Sequence, residues 1–140
     1  MRFLLDTCVL SDFAQGQRQT LERIKAAGPE DLAASAITQM EIEYGLLLNS
    51  KIARRLGPVM DAFFGTIRVL PYDEGAAEAT AKARAILKRR GRPIGAYDIL
   101  IAGTALAHDL TVVTRTFASS GRSRGSGSKT GGHEARETTV

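Results

Sequence analysis

The chain has 140 residues, of which 44% are hydrophobic and 24% are charged, and its formal net charge at pH 7 is +4. This composition is typical of one globular domain with a hydrophobic core, and it excludes a fibrous, a disulfide-built or a wholly disordered protein. The single cysteine, Cys8, cannot form an internal disulfide, no apolar run reaches the roughly 18 to 20 residues of a membrane span, and Met1 does not open a signal peptide. We therefore expect a cytoplasmic protein.

Short β-type runs alternate along the chain with longer helical patterns. The predicted elements are, in order, a strand at 3–5, a loop and a helix at 21–27, a strand at 32–38, helices at 40–49 and 51–64, a strand at 67–70, helices at 74–90 and 97–108, and a strand at 110–114. Alternation of this kind predicts an α/β layer fold with a mostly parallel sheet.

Three acidic residues stand where such a sheet would place a binding crevice. The crevice of a parallel sheet lies beyond the carboxyl ends of its strands, so residues that end strands or begin helices can meet there. Asp6 ends the first strand, Glu41 lies near the start of the helix after the second, and Asp98 opens the apolar helix before the last. We expect Asp6, Glu41 and Asp98 to converge on one rim.

Each of these acids also fits a purely structural role to a different degree. Asp6 can cap the helix that follows it, and Glu41 can form a capping box with Thr38. Asp98 is harder to explain in this way, because the residues around it are apolar and predict a core position. A nearly buried carboxylate there needs a cation or a metal ion as its partner.

Three carboxylates with few cations beside them repel one another unless a positive charge lies among them. Hard oxygen ligands select Mg²⁺ or Mn²⁺. Such ions lower the pKa of a bound water and neutralise a phosphodiester, so an acid-only site is typical of enzymes that cut nucleic acids. Side-chain nucleophiles are weak candidates, because His108 is expected at the surface and Cys8 is expected to pack as a small hydrophobe.

Positive charge is concentrated late in the chain. Residues 1–116 hold 15 Lys and Arg against 13 Asp and Glu, so this part is only mildly basic. The basic side chains that crowd one predicted helix and the turn after it are Lys82, Arg84, Lys88, Arg89, Arg90 and Arg92. They either form a solvated helix end that complements the helix dipole or contact a phosphate backbone.

Three stretches of the sequence carry a family resemblance. They are LLDTCVLSDF, SAITQMEIEYG and a long block that runs from VLPYDEG through PIGAYDILIAG to LTVVTR, in order over residues 1–115. The sequence resembles PIN-domain ribonuclease toxins of the VapC type, in the branch that includes tRNA-cutting members. The resemblance implies that residues 1–116 form a PIN-like three-layer α/β fold with a mostly parallel sheet of four to five strands flanked by helices.

The resemblance also implies an activity, a cofactor and partners. The activity is that of a metal-dependent endoribonuclease toxin that hydrolyses RNA, with tRNA as the expected substrate. The partners are a VapB-type antitoxin, whose C-terminal segment covers the cleft, and a second copy of the chain in a homodimer, with no membrane. The residues implied to be catalytic and to hold Mg²⁺ or Mn²⁺ are Asp6, Glu41 and Asp98, with support from Thr7, Thr114 and Thr116. The residues expected to contact RNA are Arg89, Arg90, Arg92 and Arg115.

The chain departs from the family pattern at Cys8, where Asn is frequent, and at Thr116, where the family has Asn or Asp. Beyond it, residues 117–140 form a Ser/Gly/Arg-rich tail with little to bury. Loss of one nucleotide in the codon of Arg115 would explain both the tail and Thr116. In the offset frame Thr116 can become Asn. The residues that become apolar where Ser is encoded by TCN are Ser120, Ser123, Ser126 and Ser128, and the codon of Phe117 also gives an apolar residue. We expect residues 117–140 to be an out-of-frame, disordered tail that leaves a sheet edge exposed.

Two other functions remain open on the sequence. In a haloacid-dehalogenase-like phosphatase Asp6 would be a phosphorylated nucleophile, but that chemistry needs a second acid two residues later, where Cys8 stands. Alternatively, a PIN-domain protein with an altered C-terminus is catalytically impaired and only binds its antitoxin. Cleavage of RNA by the purified protein separates the second possibility from an active enzyme.

Overall fold

The structure, a computed structural model, describes residues 1–115 and 137–139. The strands are β1 (Phe3–Leu5), β2 (Leu32–Ser35), β3 (Arg68–Leu70), β4 (Thr111–Thr114) and β5 (Glu137–Thr139). The α-helices are α1 (Thr7–Ala14), α2 (Arg18–Ala27), α3 (Ala36–Leu48), α4 (Ser50–Phe64), α5 (Glu74–Arg89) and α6 (Ala96–Ala107), and a 3₁₀ turn at Pro29–Asp31 precedes β2. No helix among these residues has the length and apolar character that crossing a membrane requires.

The strands form one parallel sheet in the order β3-β2-β1-β4-β5. The register places Leu4 of β1 between Ala33 of β2 and Val112 of β4, so the first strand of the chain lies at the centre of the sheet. The predicted α/β fold with a parallel sheet of four to five strands is confirmed. Its central strand ends at Asp6, at the edge where a ligand crevice was expected.

Helices cover both faces of the sheet. Neighbouring residues of a strand point to opposite faces, and both faces of this sheet carry apolar side chains that the helices bury. Leu5 packs on one face in a core that includes Val9 of α1 and Met60 of α4. Leu4 packs on the other face with Ile101 and Ala105 of α6. Burial of such side chains stabilises the fold by about 1.5–3 kcal/mol each. The predicted three-layer arrangement follows from these two cores.

Helices α5 and α6 run antiparallel and are in close contact. A Cβ atom built on Gly75, near the start of α5, would lie 4.0 Å from the Cβ of Ala107 at the end of α6. At the centre of the contact, a Cβ atom on Gly103 would lie only 1.8 Å from Oγ1 of Thr80. Gly103 therefore allows a helix-to-helix approach that no larger residue permits.

Three predictions about the elements are wrong. The stretch between the strand at 3–5 and the helix at 21–27 was expected to be a loop, whereas Thr7–Ala14 form α1, which buries Val9 and Leu10 against the sheet. The strand expected at 32–38 ends at Ser35, because α3 begins at Ala36. The tail was expected to lack regular structure throughout, whereas residues Glu137–Thr139 form β5, which pairs in parallel with β4. The rest of the out-of-frame prediction, including Thr116 and residues 117–136, lies outside the described residues.

Candidate active site

Asp6 is fixed at the carboxyl end of the central strand by hydrogen bonds on both sides. Its backbone N–H donates to the carbonyl oxygen of Val113 at 3.1 Å, which ties the end of β1 to β4. Its side-chain Oδ1 accepts a hydrogen bond from the backbone N–H of Val9 at 2.9 Å, so Asp6 is the N-cap of α1. The hydrogen bond from Val9 uses Oδ1, so Asp6 can cap α1 and still offer its second oxygen, Oδ2, to a ligand.

The carboxyl group of Asp6 is electrostatically unusual. Burial raises its pKa from 3.8 to about 6, and the carboxylate of Asp98 contributes to the increase. The hydrogen bond from Val9 and the positive charge of Arg115 oppose the increase without cancelling it. A carboxylate in these surroundings gains stability from any cation that binds beside it.

Glu41 is held by a side-chain contact rather than by the predicted capping box. The N-cap of α3 is Ser35, whose Oγ accepts the backbone N–H of Thr38 at 3.0 Å, so Thr38 does not cap the helix. Glu41 is half-buried one turn further along, where the hydroxyl of Thr7 donates a hydrogen bond to its Oε1. Thr7 follows Asp6 directly, so this bond brings Glu41 to the same edge of the sheet.

Asp98 lies in the first turn of α6 and is exposed, so the prediction that it is nearly buried is wrong. The apolar residues around it face the core, as buried Ile99 and Ile101 do, whereas Asp98 lies on another side of the helix. Gly95 leaves room for the carboxylate, since a Cβ atom on this residue would lie 3.1 Å from Oδ2 of Asp98. Asp98 is close enough to Asp6 for its charge to raise the pKa of the Asp6 carboxyl.

The predicted three-acid cluster is only partly formed. Among the described residues, no three His, Cys, Asp or Glu side chains lie close enough together to hold one metal ion. The structure brings Asp6 and Asp98 within electrostatic reach of each other and links Glu41 to the residue after Asp6. Carboxylate oxygens are the donor type that Mg²⁺ and Mn²⁺ prefer, so the chemistry of these acids fits a divalent cation, although fewer than three of them lie together among the described residues.

Sequence reasoning missed Asp12, which is the partner of Arg115. The guanidinium group of Arg115 donates two hydrogen bonds to Asp12, from Nε to Oδ2 at 3.0 Å and from Nη2 to Oδ1 at 2.8 Å. The two residues are 103 positions apart, so no local pattern could reveal the pair. Arg115, predicted to contact RNA, thus forms a bidentate ion pair with Asp12, and its positive charge is close enough to lower the pKa of Asp6.

The other predicted residues are distributed as follows. Thr114 is half-buried at the end of β4, next to Arg115, and Thr116 lies outside the described residues. Arg89, Arg90 and Arg92 are exposed at the end of α5 and in the turn after it. Contact between these cations and RNA stays a prediction.

The two candidate nucleophiles of the sequence analysis are His108 and Cys8. His108 is exposed at the end of α6, as predicted. Cys8 is exposed, so its expected role as a packed hydrophobe is wrong. Desolvation by the nearby protein and then the carboxylate of Asp6 raise the pKa of its thiol. The thiol therefore stays protonated, and it is poorly suited to nucleophilic attack.

Asp6→Asn is expected to stabilise the folded protein at neutral pH. The raised pKa means that folding favours the neutral carboxyl, and this stabilisation is complete below pH 3.8 and is lost as the pH rises through about 6. Asn keeps the neutral form at every pH and caps helices as well as Asp does. We expect the metal-free variant to be more stable than wild type by about 2 kcal/mol at pH 8.

Urea unfolding in EDTA at pH 4 and pH 8 measures this difference. The gain should shrink towards pH 4, where Asp6 of the wild type is already neutral. A gain of equal size at both pH values, or a loss at pH 8, would show that the charge of Asp6 does not oppose folding.

Comparison with known proteins assigns this architecture to a family. The sequence profile of the PIN domain matches residues 3–115. The chain belongs to the PIN-domain family, and this membership replaces the haloacid-dehalogenase-like alternative.

The relatives of the chain are VapC-type toxins. The tRNA(fMet)-specific endonuclease VapC of Shigella flexneri is 33% identical over 114 residues, which are 81% of this chain and 86% of that protein. Toxin FitB of Neisseria gonorrhoeae is 38% identical over 125 residues, which cover 83% of this chain and 88% of that protein.

A solved structure supports the same assignment. The DNA-bound VapBC of Salmonella typhimurium matches with a TM-score of 0.75 and 34% identity, covering 87% of this chain and 92% of that one. The resemblance to VapC toxins and the PIN-like fold predicted from the sequence are confirmed.

Proposed function

We propose that this protein is the toxin of a toxin–antitoxin pair and that it is a metal-dependent endoribonuclease acting on tRNA. The observation that carries the proposal is that Asp6, at the end of the central strand, lies close enough to Asp98, in the first turn of α6, for the charge of Asp98 to raise the pKa of Asp6. The named activity of the Shigella flexneri relative, a tRNA(fMet)-specific endonuclease, supports the choice of substrate.

The residues proposed to hold Mg²⁺ or Mn²⁺ are Asp6 and Asp98, with Glu41 beside them. When bound, such an ion neutralises a phosphodiester and lowers the pKa of an attacking water. Asp6 contributes a carboxylate whose position is fixed by the N–H of Val9. The hydroxyl of Thr7 orients Glu41, and its hydrogen bond leaves Oε2 of Glu41 available to accept a proton or to act as a ligand.

The proposed partners follow from the relatives. The matching Salmonella typhimurium structure is a VapBC complex, which supports a VapB-type antitoxin as the partner of this chain. We propose that the C-terminal segment of this antitoxin covers the crevice at Asp6 and Asp98. We also propose that the toxin forms a homodimer.

Removal of divalent metal is expected to stop RNA cleavage. The full chain, purified and incubated with tRNA in Mg²⁺, should produce discrete fragments. An excess of EDTA should remove the activity, and Mg²⁺ or Mn²⁺ added beyond the EDTA should restore it, because the acids alone cannot neutralise the phosphodiester. Fragments are measured on a denaturing gel.

Two results would contradict this function. Undiminished cleavage in excess EDTA would overturn the metal requirement. No cleavage under any metal, by a chain that still binds an antitoxin, would identify a catalytically impaired protein. Because the acid cluster is incomplete in the described residues, the catalytically impaired antitoxin-binding protein is the alternative that this experiment must distinguish from an active enzyme.

A further inference from the structure

A large groove lies between α5 and the start of α6, and none of Asp6, Glu41 and Asp98 lines it. Its volume is about 1100 Å³. Its lining includes the apolar residues Ile94, Ile99 and Leu100 and the aromatic residue Tyr72, which follows β3; we call these four residues its floor. We call this feature the α5–α6 groove.

The α5–α6 groove is positively charged. Its cationic lining residues are Arg84, Lys88 and Arg92, and no Asp or Glu lines it. Within the part of the chain that the structure describes, none of these three cations has a carboxylate within ion-pair distance. Lys82 on the same helix, by contrast, pairs with Glu78 at 3.8 Å. The groove thus combines an apolar floor with three cations that no described acid neutralises.

The groove is close to Asp98 because of the antiparallel packing of the two helices. Thr80 lies beside Gly103, so the C-terminal half of α5 runs alongside the first turns of α6. Those turns carry Asp98, and its neighbours in sequence, Ala96 and Ile99, line the groove. A single linear ligand can therefore lie in the groove and contact Asp98 at the same time.

We propose that the α5–α6 groove binds the RNA strand that adjoins the cleaved bond, with phosphates on Arg84, Lys88 and Arg92 and an unpaired base against Tyr72. The proposal rests on the ribonuclease function proposed above. Arg84 and Lys88 are separated by one helical turn, about 6 Å along the axis, which suits neighbouring phosphates of one strand. A base can reach the floor only if it is unstacked, so a single-stranded segment fits and a duplex does not.

A matched control is available on α4. Arg54 and Arg55 are exposed, form no ion pair with a described residue and do not line the groove. Arg54→Ala with Arg55→Ala removes two positive charges from one helix, as Arg84→Ala with Lys88→Ala does.

RNA binding by the full-length variants tests the proposal. The probe is a fluorescein-labelled oligouridylate of about twelve nucleotides, within the range that such channels bind, and binding is followed by anisotropy in EDTA. We expect Arg84→Ala with Lys88→Ala to weaken binding about tenfold or more, and to reduce the salt slope by about 1.4. The control pair should change affinity less than threefold, and an RNA duplex of equal length should bind more weakly than the single strand.

The aromatic floor gives a second, independent measurement. Tyr72→Ala should weaken binding of the oligouridylate about fivefold or more, whereas Tyr72→Phe should keep it, because stacking on an aromatic ring needs the ring and not the hydroxyl. A loss on Tyr72→Phe equal to that on Tyr72→Ala would overturn the stacking role.

Other outcomes separate the groove from the proposed function. Equal losses from the two charge pairs, in a wild type that cleaves tRNA in Mg²⁺, would overturn the groove and leave the ribonuclease intact. A wild type that neither binds nor cleaves RNA would overturn both. An acidic peptide of alternating Glu and Leu is the alternative probe. If Arg84→Ala with Lys88→Ala removes binding of this peptide but leaves RNA binding unchanged, the groove is a peptide site and the proposal is overturned.

Discussion

Asp98→Asn is expected to reduce tRNA cleavage at least about a hundredfold, the loss typical when one group that stabilises the transition-state charge is removed. The substitution keeps the size of the side chain and removes the negative charge that raises the pKa of Asp6. Because Asp98 is exposed and joins no ion pair with a described residue, the fold should be preserved. Initial rates in Mg²⁺ and a urea unfolding curve measure the two effects.

Two acids outside the crevice serve as controls. Glu43 is exposed on α3 and accepts a hydrogen bond from Gln39 at 2.9 Å, and Asp109 occupies a left-handed turn with φ of 57° that Asn also tolerates. Glu43→Gln and Asp109→Asn should leave cleavage nearly intact. If Glu43→Gln removes as much activity as Asp98→Asn, the active side of α3 has been chosen wrongly.

Gly103→Ala is expected to destabilise the protein by about 2 kcal/mol or more, since overpacking of a close contact typically costs 1–3 kcal/mol. In an open helix the same change stabilises, because Ala is the better helix former by about 1 kcal/mol. Here the added methyl group would meet Oγ1 of Thr80 at 1.8 Å and the Thr80 backbone Cα at 3.0 Å. The helices α5 and α6 must separate, which also displaces Asp98.

A matched glycine shows the opposite effect. Gly45 in α3 has no atom within 4 Å of the position that a Cβ would take, so Gly45→Ala should stabilise by about 0.5–1 kcal/mol. Combining Gly103→Ala with Thr80→Ala should recover part of the loss but not all, because the Thr80 backbone stays in place. Wild-type stability for Gly103→Ala in urea unfolding would refute the close contact.

The sequence predicted the sheet better than the site. Alternating apolar runs and helical patterns indicate the parallel α/β layers, because both depend on local periodicity, and β1 was predicted with the bounds that the structure has. Helix α1 was missed because its apolar residues, Val9, Leu10 and Phe13, are few and lie among polar ones. Its N-cap, Asp6, also fits a site residue, so the capping signal alone does not identify the helix.

The site could be predicted only in part, because its geometry depends on contacts between distant segments. The position of Asp6 follows from the end of a strand, but the Thr7–Glu41 bond and the Arg115–Asp12 pair join residues 34 and 103 positions apart. The exposure of Asp98 depends on which side of α6 faces the sheet. A run of apolar neighbours cannot settle this.

The order of the strands has a consequence for how the toxin is made. β1 and Asp6 are synthesised first, yet β1 lies between β2 and β4, and β4 comes more than 100 residues later. The backbone of Asp6 is anchored to Val113 of β4, and Asp12 finds Arg115 just after it. Contacts of such long sequence separation form late in folding. We therefore expect Asp6 of the nascent chain to reach its final position only after β4 has left the ribosome, so that the proposed nuclease activity begins only when translation of the domain is complete.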